Sequence, residues 1–295
     1  KRLHVWKQSS KDFHVTDTKV STEDKAVLLQ ATYLLAAGNL YVVTYKIYPS
    51  GIVHVNAKFT STDMQAAETE VSEATRMATF TPGSDAARKA ASKLEVPRIG
   101  VRFRLPAQMN NVQYFGRGPE ENYIDRNHGT MVGIYQTTAD KMYFNYVRPQ
   151  ENGHHTDTRW LNLSPDKGNG LVIVADSLIG FNALRNSVED FDSEEALPHP
   201  YQWNNFSPEE AANHDEKAAR NVLRRMHHVN DVTPRDFVEV CVDMKQQGVG
   251  GYDSWGARPE PFHQIPANRE YNWGFTLVPI RSGSQATEAA KYDYR

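Results

Sequence analysis

The chain has 295 residues, with 33 Lys and Arg against 36 Asp and Glu, which gives a formal net charge of -3. A charge this close to zero argues against a nucleic-acid partner, because nucleic-acid-binding domains are usually basic. No apolar run approaches the roughly 18 residues of a membrane span, so a membrane partner is not expected. The chain opens Lys1-Arg2-Leu3-His4, without an initiator Met or a signal peptide. We therefore expect a fragment of a longer protein whose compartment, cytoplasm or periplasm, is unknown.

Alternation of apolar and polar residues predicts β-strands along most of the chain. In 51–59, for example, Val53, Val55 and Phe59 share one face, and His54 and Lys58 take the other. Strands are predicted at 40–48, 51–59, 99–105, 131–136, 141–147, 158–163, 171–176, 237–245 and 271–280. The only cysteine, Cys241, lies in the alternating run 237–244, so we expect a small buried hydrophobic residue there and no disulfide.

Two stretches lack this alternation and are predicted to be insertions, at about 61–94 and 198–222. The second contains a predicted helix at 207–222, since Ser207, Pro208 and Glu210 make a helix start with a capping box. Many strands and few long helices predict one all-β domain, a large antiparallel sandwich spanning 1–280. The polar tail 281–295 is expected to fray.

The densest polar segment is 114–126, which Gly116, Gly118 and Pro119 predict to be a turn. Two interpretations stay open for its charged side chains. They form a salt-bridge network that holds the loop, or a rim that faces a sugar, because Arg and carboxylates hydrogen-bond hydroxyls in pairs. The side chains concerned are Arg117, Glu120, Glu121, Asp125 and Arg126.

A second polar segment, 148–160, contains acidic residues and two adjacent histidines. Its spacing matches no zinc pattern, and adjacent residues of a strand point to opposite faces, so no metal site is predicted. Loop architecture or a polar network shared with the first segment is expected instead. The residues assigned to that network are Glu151, Asn152 and Arg159.

The third segment, 247–259, is called here the glycine-rich loop. It is not a phosphate loop, because the Lys-Ser/Thr ending is missing. A Trp among glycines suits stacking on the apolar face of a pyranose, and the alternative is a lid over the domain's own core. We predict substrate contacts from Asp253, Ser254 and Trp255.

Taken together, four segments in this order resemble the C-terminal, small-chain domain of β-galactosidases of glycoside hydrolase family 2. They are 96–103 (VPRIGVRF), 116–126 (GRGPEENYIDR), 149–153 (PQENG) and 248–255 (GVGGYDSW). The resemblance covers about 95–280 and, more weakly, the strands before it. It implies an antiparallel supersandwich like that of galactose mutarotase.

The same resemblance implies that the parent protein hydrolyses terminal β-D-galactosides by a retaining mechanism. The catalytic glutamates would lie in a preceding (β/α)8 barrel, so no catalytic residue is expected in this chain. That barrel of the same parent chain and the galactoside are the implied partners, and Trp255 matches a residue of the sugar platform. No cofactor is expected in this chain. A divalent cation, Mg or Ca, would belong to the barrel, and the parent could be an oligomer.

Two alternatives remain. An aldose 1-epimerase would need a general acid and base near neutral pKa, roles in which His154 or His155 could act with Glu151. No segment matches mutarotases, however. A carbohydrate-binding module without a role in turnover is the second alternative.

Overall fold

The structure is a computed structural model that describes residues 3, 6, 13–35, 38–61, 95–147, 150–191, 229, 232–253 and 257–294. Apart from Ser61, the two predicted insertions, 61–94 and 198–222, lie outside these residues. The helix predicted at 207–222 lies outside them as well. Within the described ranges, no helix has the length and apolar character needed to cross a bilayer.

Antiparallel β-strands dominate the described part of the chain, which confirms the predicted all-β class. The strands are β1 (His14–Glu23), β2 (Ala26–Leu34), β3 (Leu40–Ile47), β4 (Val53–Thr60), β5 (Arg98–Pro106), β6 (Asn111–Gly118), β7 (Met131–Thr138), β8 (His155–Ser164), β9 (Gly170–Leu184), β10 (Phe237–Gln246) and β11 (Tyr271–Ile280). One short helix, α1 (Ala286–Ala289), follows them.

The long strand β9 divides the sheet into two branches. The main path runs β1-β2-β3-β4-β11-β9-β8-β6-β7. The first part of β9 pairs with β11, and its last part, from Gly180 to Leu184, pairs with β10, which pairs in turn with β5. The hydroxyl of Tyr41 on β3 donates to the carbonyl of Gly100 on β5 at 3.3 Å, so the two branches face each other.

Side chains from both branches fill one hydrophobic core. On β10, Val238, Val240 and Val242 are completely buried in it, and on β4 so is Phe59. These are the apolar faces that the alternation predicts. Cys241 is free and buried, as predicted, but it points to the opposite face of β10 from the three valines.

The strand predicted at 141–147 does not form, and that prediction is wrong. The residues make a turn followed by irregular backbone. The side-chain amide of Asn152 pairs with this segment as a strand would, accepting from the N–H of Phe144 at 2.8 Å and donating to its carbonyl at 2.7 Å. A buried side chain therefore replaces the neighbouring strand.

The turn predicted for 114–126 is wrong over 114–118, because Gly116 and Gly118 lie in β6, whereas 119–126 consist of bends, a turn and irregular backbone. At Gly116 a Cβ would stand 2.5 Å from the hydroxyl oxygen of Thr158 on the adjacent strand β8. Here the glycine permits close approach of two strands and does not mark a turn.

The tail 281–295 is ordered over its described part, so the expectation of fraying is wrong there. Gly283–Gln285 form a 3-10 turn and lead directly into α1. Ala286 is completely buried and packs with Trp160, Val278 and Ile280. The tail therefore covers an apolar patch on the outer side of the sheet.

Candidate functional site

Glu121 is the centre of a buried polar cluster that follows β6. Its side chain is only 3% exposed. One carboxylate oxygen accepts from Nη2 of Arg126 at 2.7 Å and from the hydroxyl of Tyr146, and the other accepts from the N–H of Gly153 at 2.7 Å. This geometry joins the connection between β6 and β7 to the one between β7 and β8. Glu121 and Arg126 therefore form part of a structural network, which supports the first of the two interpretations of this segment.

Arg117 makes a different set of contacts. Its Nε donates to Oδ2 of Asp157 at 2.5 Å, and its Nη1 donates to the carbonyls of Thr130 at 2.9 Å and Asn127 at 3.3 Å. Arg117 thereby ties the irregular segment between β6 and β7 to β8. The two arginines of 114–126 thus have different partners, since Arg126 pairs with Glu121 and Arg117 pairs with Asp157.

The polar residues of 148–160 are divided between the interior and the surface. Asn152 is buried, and its side-chain amide is hydrogen-bonded to the backbone of Phe144. Glu151 is exposed. Arg159 is half-buried, with its guanidinium 5.2 Å from the ring centre of Phe115 on β6. Of the three predicted network residues, Glu151 and Arg159 are therefore the ones at the surface.

His154 and His155 are both structural. Each is 2% exposed. Nδ1 of His154 donates to the side-chain oxygen of Asn182 at 2.9 Å, and Nδ1 of His155 donates to the carbonyl of Arg117 at 3.0 Å. Burial lowers the pKa of His154 to about 3 and that of His155 to about 4. Both rings are therefore neutral at pH 7, which disfavours the acid–base roles that an epimerase would need.

A buried charged face on β5 and β10 was missed by the sequence reasoning. Arg98 holds Asp243 through two hydrogen bonds of 2.7 and 2.5 Å. Arg104 donates to Glu239 at 2.9 Å, and Arg102 does so at 3.3 Å. The signal in the sequence is the complementary alternation, with basic residues along 98–104 and acidic residues along 239–243.

A small pocket opens beside this face. It is lined in part by Arg98, Glu151, Asn182, Asn186 and Phe191. Its volume of about 20 Å³ is room for one or two water molecules, and not for a pyranose ring. It therefore offers no alternative sugar site of sufficient size.

The glycine-rich loop is fixed at its base. The N–H of Gln247 donates to the carbonyl of Pro97 at 2.9 Å, and that of Gly248 to the carbonyl of His263 at 2.8 Å. The N–H of Gly250 donates to Oδ2 of Asp125 at 2.7 Å. Asp125 is thus a loop anchor.

The second arm of the loop is fixed as well. Arg258 donates to a carboxylate oxygen of Glu95 at 2.7 Å. Oδ1 of Asp253 accepts from the N–H of Ala257 at 3.1 Å, which connects the two arms. Tyr252, at the tip, is 89% exposed. The loop therefore projects from two fixed arms.

Ser254 and Trp255 lie outside the described residues, so the exposure of Trp255 stays a prediction. Asp253 is exposed, and its bond to Ala257 gives it a role in shaping the loop. No group of three or more His, Cys, Asp or Glu side chains in the described ranges is arranged to hold a metal ion.

These features define an all-β domain whose buried charged residues stabilise its own strands and loops, and from which a glycine-rich loop projects. The chain belongs to the family described as the β-galactosidase small chain, whose model matches residues 1–277.

Similar proteins include a β-galactosidase of Priestia megaterium, 28% identical over 281 residues that cover 95% of this chain and 21% of that protein. A β-galactosidase of Streptococcus thermophilus is 26% identical over 280 residues, 93% of this chain and 21% of that protein. One from an Arthrobacter species, strain B7, is 40% identical over 123 residues, 40% of this chain and 12% of that protein. The chain spans about a fifth of the length of the first two relatives (21% in each).

Proposed function

We propose that this chain is the C-terminal domain of a retaining β-galactosidase of glycoside hydrolase family 2. The parent protein hydrolyses terminal β-D-galactosides with catalytic glutamates in a barrel domain outside these 295 residues. This domain contributes the glycine-rich loop to the sugar-binding surface. The mutarotase-like supersandwich, the barrel as partner and an oligomeric parent belong to the same proposal, as does a divalent cation held by the barrel.

The observation that carries the proposal is the anchoring of the glycine-rich loop. Its arms are held by Asp125 and by the pair of Arg258 with Glu95, while its tip is exposed. A loop held in this way can present a flat aromatic side chain at a constant position, which is what stacking on a pyranose requires. The prominent carboxylates Glu121 and Glu239 already accept from arginines inside the domain. This supports placing the glycosidic chemistry elsewhere.

The first test is Trp255→Ala in the complete enzyme. Burial of a large apolar side chain contributes about 1.5 to 3 kcal/mol. At 1.36 kcal/mol per tenfold, kcat/KM should therefore fall by roughly one to two powers of ten. Tyr252→Ala, on the same loop, is the matched control and should change kcat/KM little. A folded Trp255→Ala enzyme with the parent's kinetics would refute the role of the loop.

The second test uses the 295-residue chain alone, at high concentration, with a chromogenic β-galactoside. We expect no hydrolysis, because the proposed catalytic glutamates lie outside it. Turnover of roughly 1 to 10³ per second, as in ordinary complete enzymes, would contradict the proposal. Polarimetry on the same sample tests the epimerase alternative, and no mutarotation is expected.

A further inference from the structure

We propose that Asp125 is a positioning residue for the first arm of the glycine-rich loop, residues 247–253. It would act through the backbone of the loop and without touching the substrate. The consequence for catalysis rests on the proposed function of that loop, whereas the positioning itself does not.

The contacts of Asp125 are specific to this arm. Its Oδ2 accepts the N–H of Gly250 at 2.7 Å. The same carboxylate lies against Gly248, where an added Cβ would stand 2.7 Å from Oδ2 and 2.8 Å from Cγ. Gly248 is therefore required by the close approach of Asp125, and not only by the flexibility of the loop. Two of the four segments that carry the resemblance, 116–126 and 248–255, meet at this contact.

Asp125 can set the position of the loop because its own backbone is held firmly. The neighbouring N–H of Arg126 donates to the carbonyl of Tyr123 at 2.8 Å. The N–H of Asn122 donates to the carbonyl of His154 at 2.7 Å. Tyr123 is fully buried. The carboxylate of Asp125 therefore projects from a firmly held turn toward the glycine-rich arm 247–253.

The arm depends on such a contact because glycine restricts the backbone least. Gly248, Gly250 and Gly251 are separated only by Val249, and glycine loses more conformational freedom on ordering than any other residue. From Val249 to Asp253 the residues are exposed, so packing contributes little to their order. A carboxylate that accepts a backbone N–H is among the stronger hydrogen bonds available in proteins.

The test compares Asp125→Ala, Asp125→Asn and the matched control Glu120→Ala in the complete protein. Glu120 lies in the same turn and is exposed. Hydrogen exchange is followed by mass spectrometry on peptides that cover 247–253. Asp125→Ala should speed exchange in this arm by about tenfold, and Asp125→Asn by less, since it keeps an oxygen acceptor. Glu120→Ala should leave the rate unchanged. KM for a galactoside should rise roughly fivefold to tenfold in Asp125→Ala with kcat nearly unchanged, because a displaced sugar platform loses uniform binding.

Unchanged exchange in Asp125→Ala would overturn the proposal, whatever the kinetics. Faster exchange with unchanged kinetics would support the positioning role and count against the proposed function of the loop. Gly248→Ala gives a second test, because the new methyl group would meet the carboxylate of Asp125. Removing that carboxylate makes room, so the effects of Gly248→Ala and Asp125→Ala on exchange should be clearly less than additive. Additive effects would overturn the proposal.

Discussion

Glu121→Ala is the sharpest test of whether the polar segment 114–126 is structural. The substitution removes a buried carboxylate, so the hydroxyl of Tyr146 and the N–H of Gly153 lose their acceptor, and Arg126 keeps only its hydrogen bond to the hydroxyl of Tyr146. Removing one partner of a buried ion pair costs about 3 to 5 kcal/mol. Because the side chain of Arg126 is 44% exposed and can be solvated again, the expected loss is at the lower end, about 3 kcal/mol.

The assay is calorimetric or urea unfolding of the 295-residue chain. At about 2 to 4 °C per kcal/mol, the melting temperature should fall by roughly 6 to 12 °C. Glu120→Ala, one residue earlier and exposed, is the control and should change the free energy of unfolding by less than about 0.5 kcal/mol. The reasoning would be refuted if Glu121→Ala changed the free energy of unfolding as little as Glu120→Ala does. Loss of sugar binding in such a stable Glu121→Ala variant would favour the interpretation of a rim that faces a sugar.

Two further predictions concern stability. Arg117→Ala breaks a partly exposed pair with Asp157, whose side chains are 27% and 33% exposed, together with two bonds to carbonyls. The urea midpoint should fall by the equivalent of about 1 to 2 kcal/mol, and a shift below about 0.5 kcal/mol would contradict the tie between β6 and β8. For His154 and His155, burial lowers the folded pKa values to about 3 and about 4, so below pH 6.5 the unfolded chain binds protons that the folded chain does not. Their stabilising contribution is complete above pH 6.5 and is lost as the pH falls toward 4, by up to about 1.36 kcal/mol per pH unit for each ring. Urea midpoints measured between pH 7.5 and 4.5 should show this decline, and a flat profile would contradict it.

The strands were predictable where one face is apolar and the other polar. The predicted 271–280 and the observed Tyr271–Ile280 coincide, and 237–245 differs from Phe237–Gln246 by one residue. β1 was missed because all ten of its residues are exposed, so burial imposes no alternation on its sequence. At 141–147 the apolar residues indicated a strand, but the side chain of Asn152, in the same connection between β7 and β8, took the place of the neighbouring strand.

The candidate site was predictable only in part, because its contacts join distant segments. Sequence reasoning identified the charged residues of 114–126, but it could not assign Arg117 to Asp157 or Asp125 to Gly250. The latter contact joins residues 125 positions apart. Composition shows which side chains are available for pairing, whereas the fold decides which of them meet.

The charged face of β5 and β10 connects the fold to the loop. Alternation alone predicts that Glu239 and Asp243 face water, yet both are buried. Burial of a carboxylate is costly unless it is paired, and the arginines of β5 supply the partners. Glu239 lies opposite Arg104 in the register of the two strands. A shift of β10 by one residue along β5 would place Glu239 opposite Phe103 or Leu105. The ion pairs therefore disfavour the same register shifts that burial of the apolar face disfavours.

The same strand pair, after a register shift between Asp243 and Lys245, sets where the glycine-rich loop begins. Gln246, the last residue of β10, lies opposite Arg98, the first residue of β5. The next N–H, that of Gln247, donates to the carbonyl of Pro97 at 2.9 Å. The loop therefore leaves the sheet at a point fixed by the ion pairs of β5 and β10, and Asp125 receives it three residues later at Gly250. The ion pairs determine where the loop leaves the sheet, and Asp125 determines its position at Gly250. Weakening either the pair of Arg98 with Asp243 or the contact of Asp125 with Gly250 should therefore displace the loop, although Arg98 and Asp125 lie in different parts of the fold.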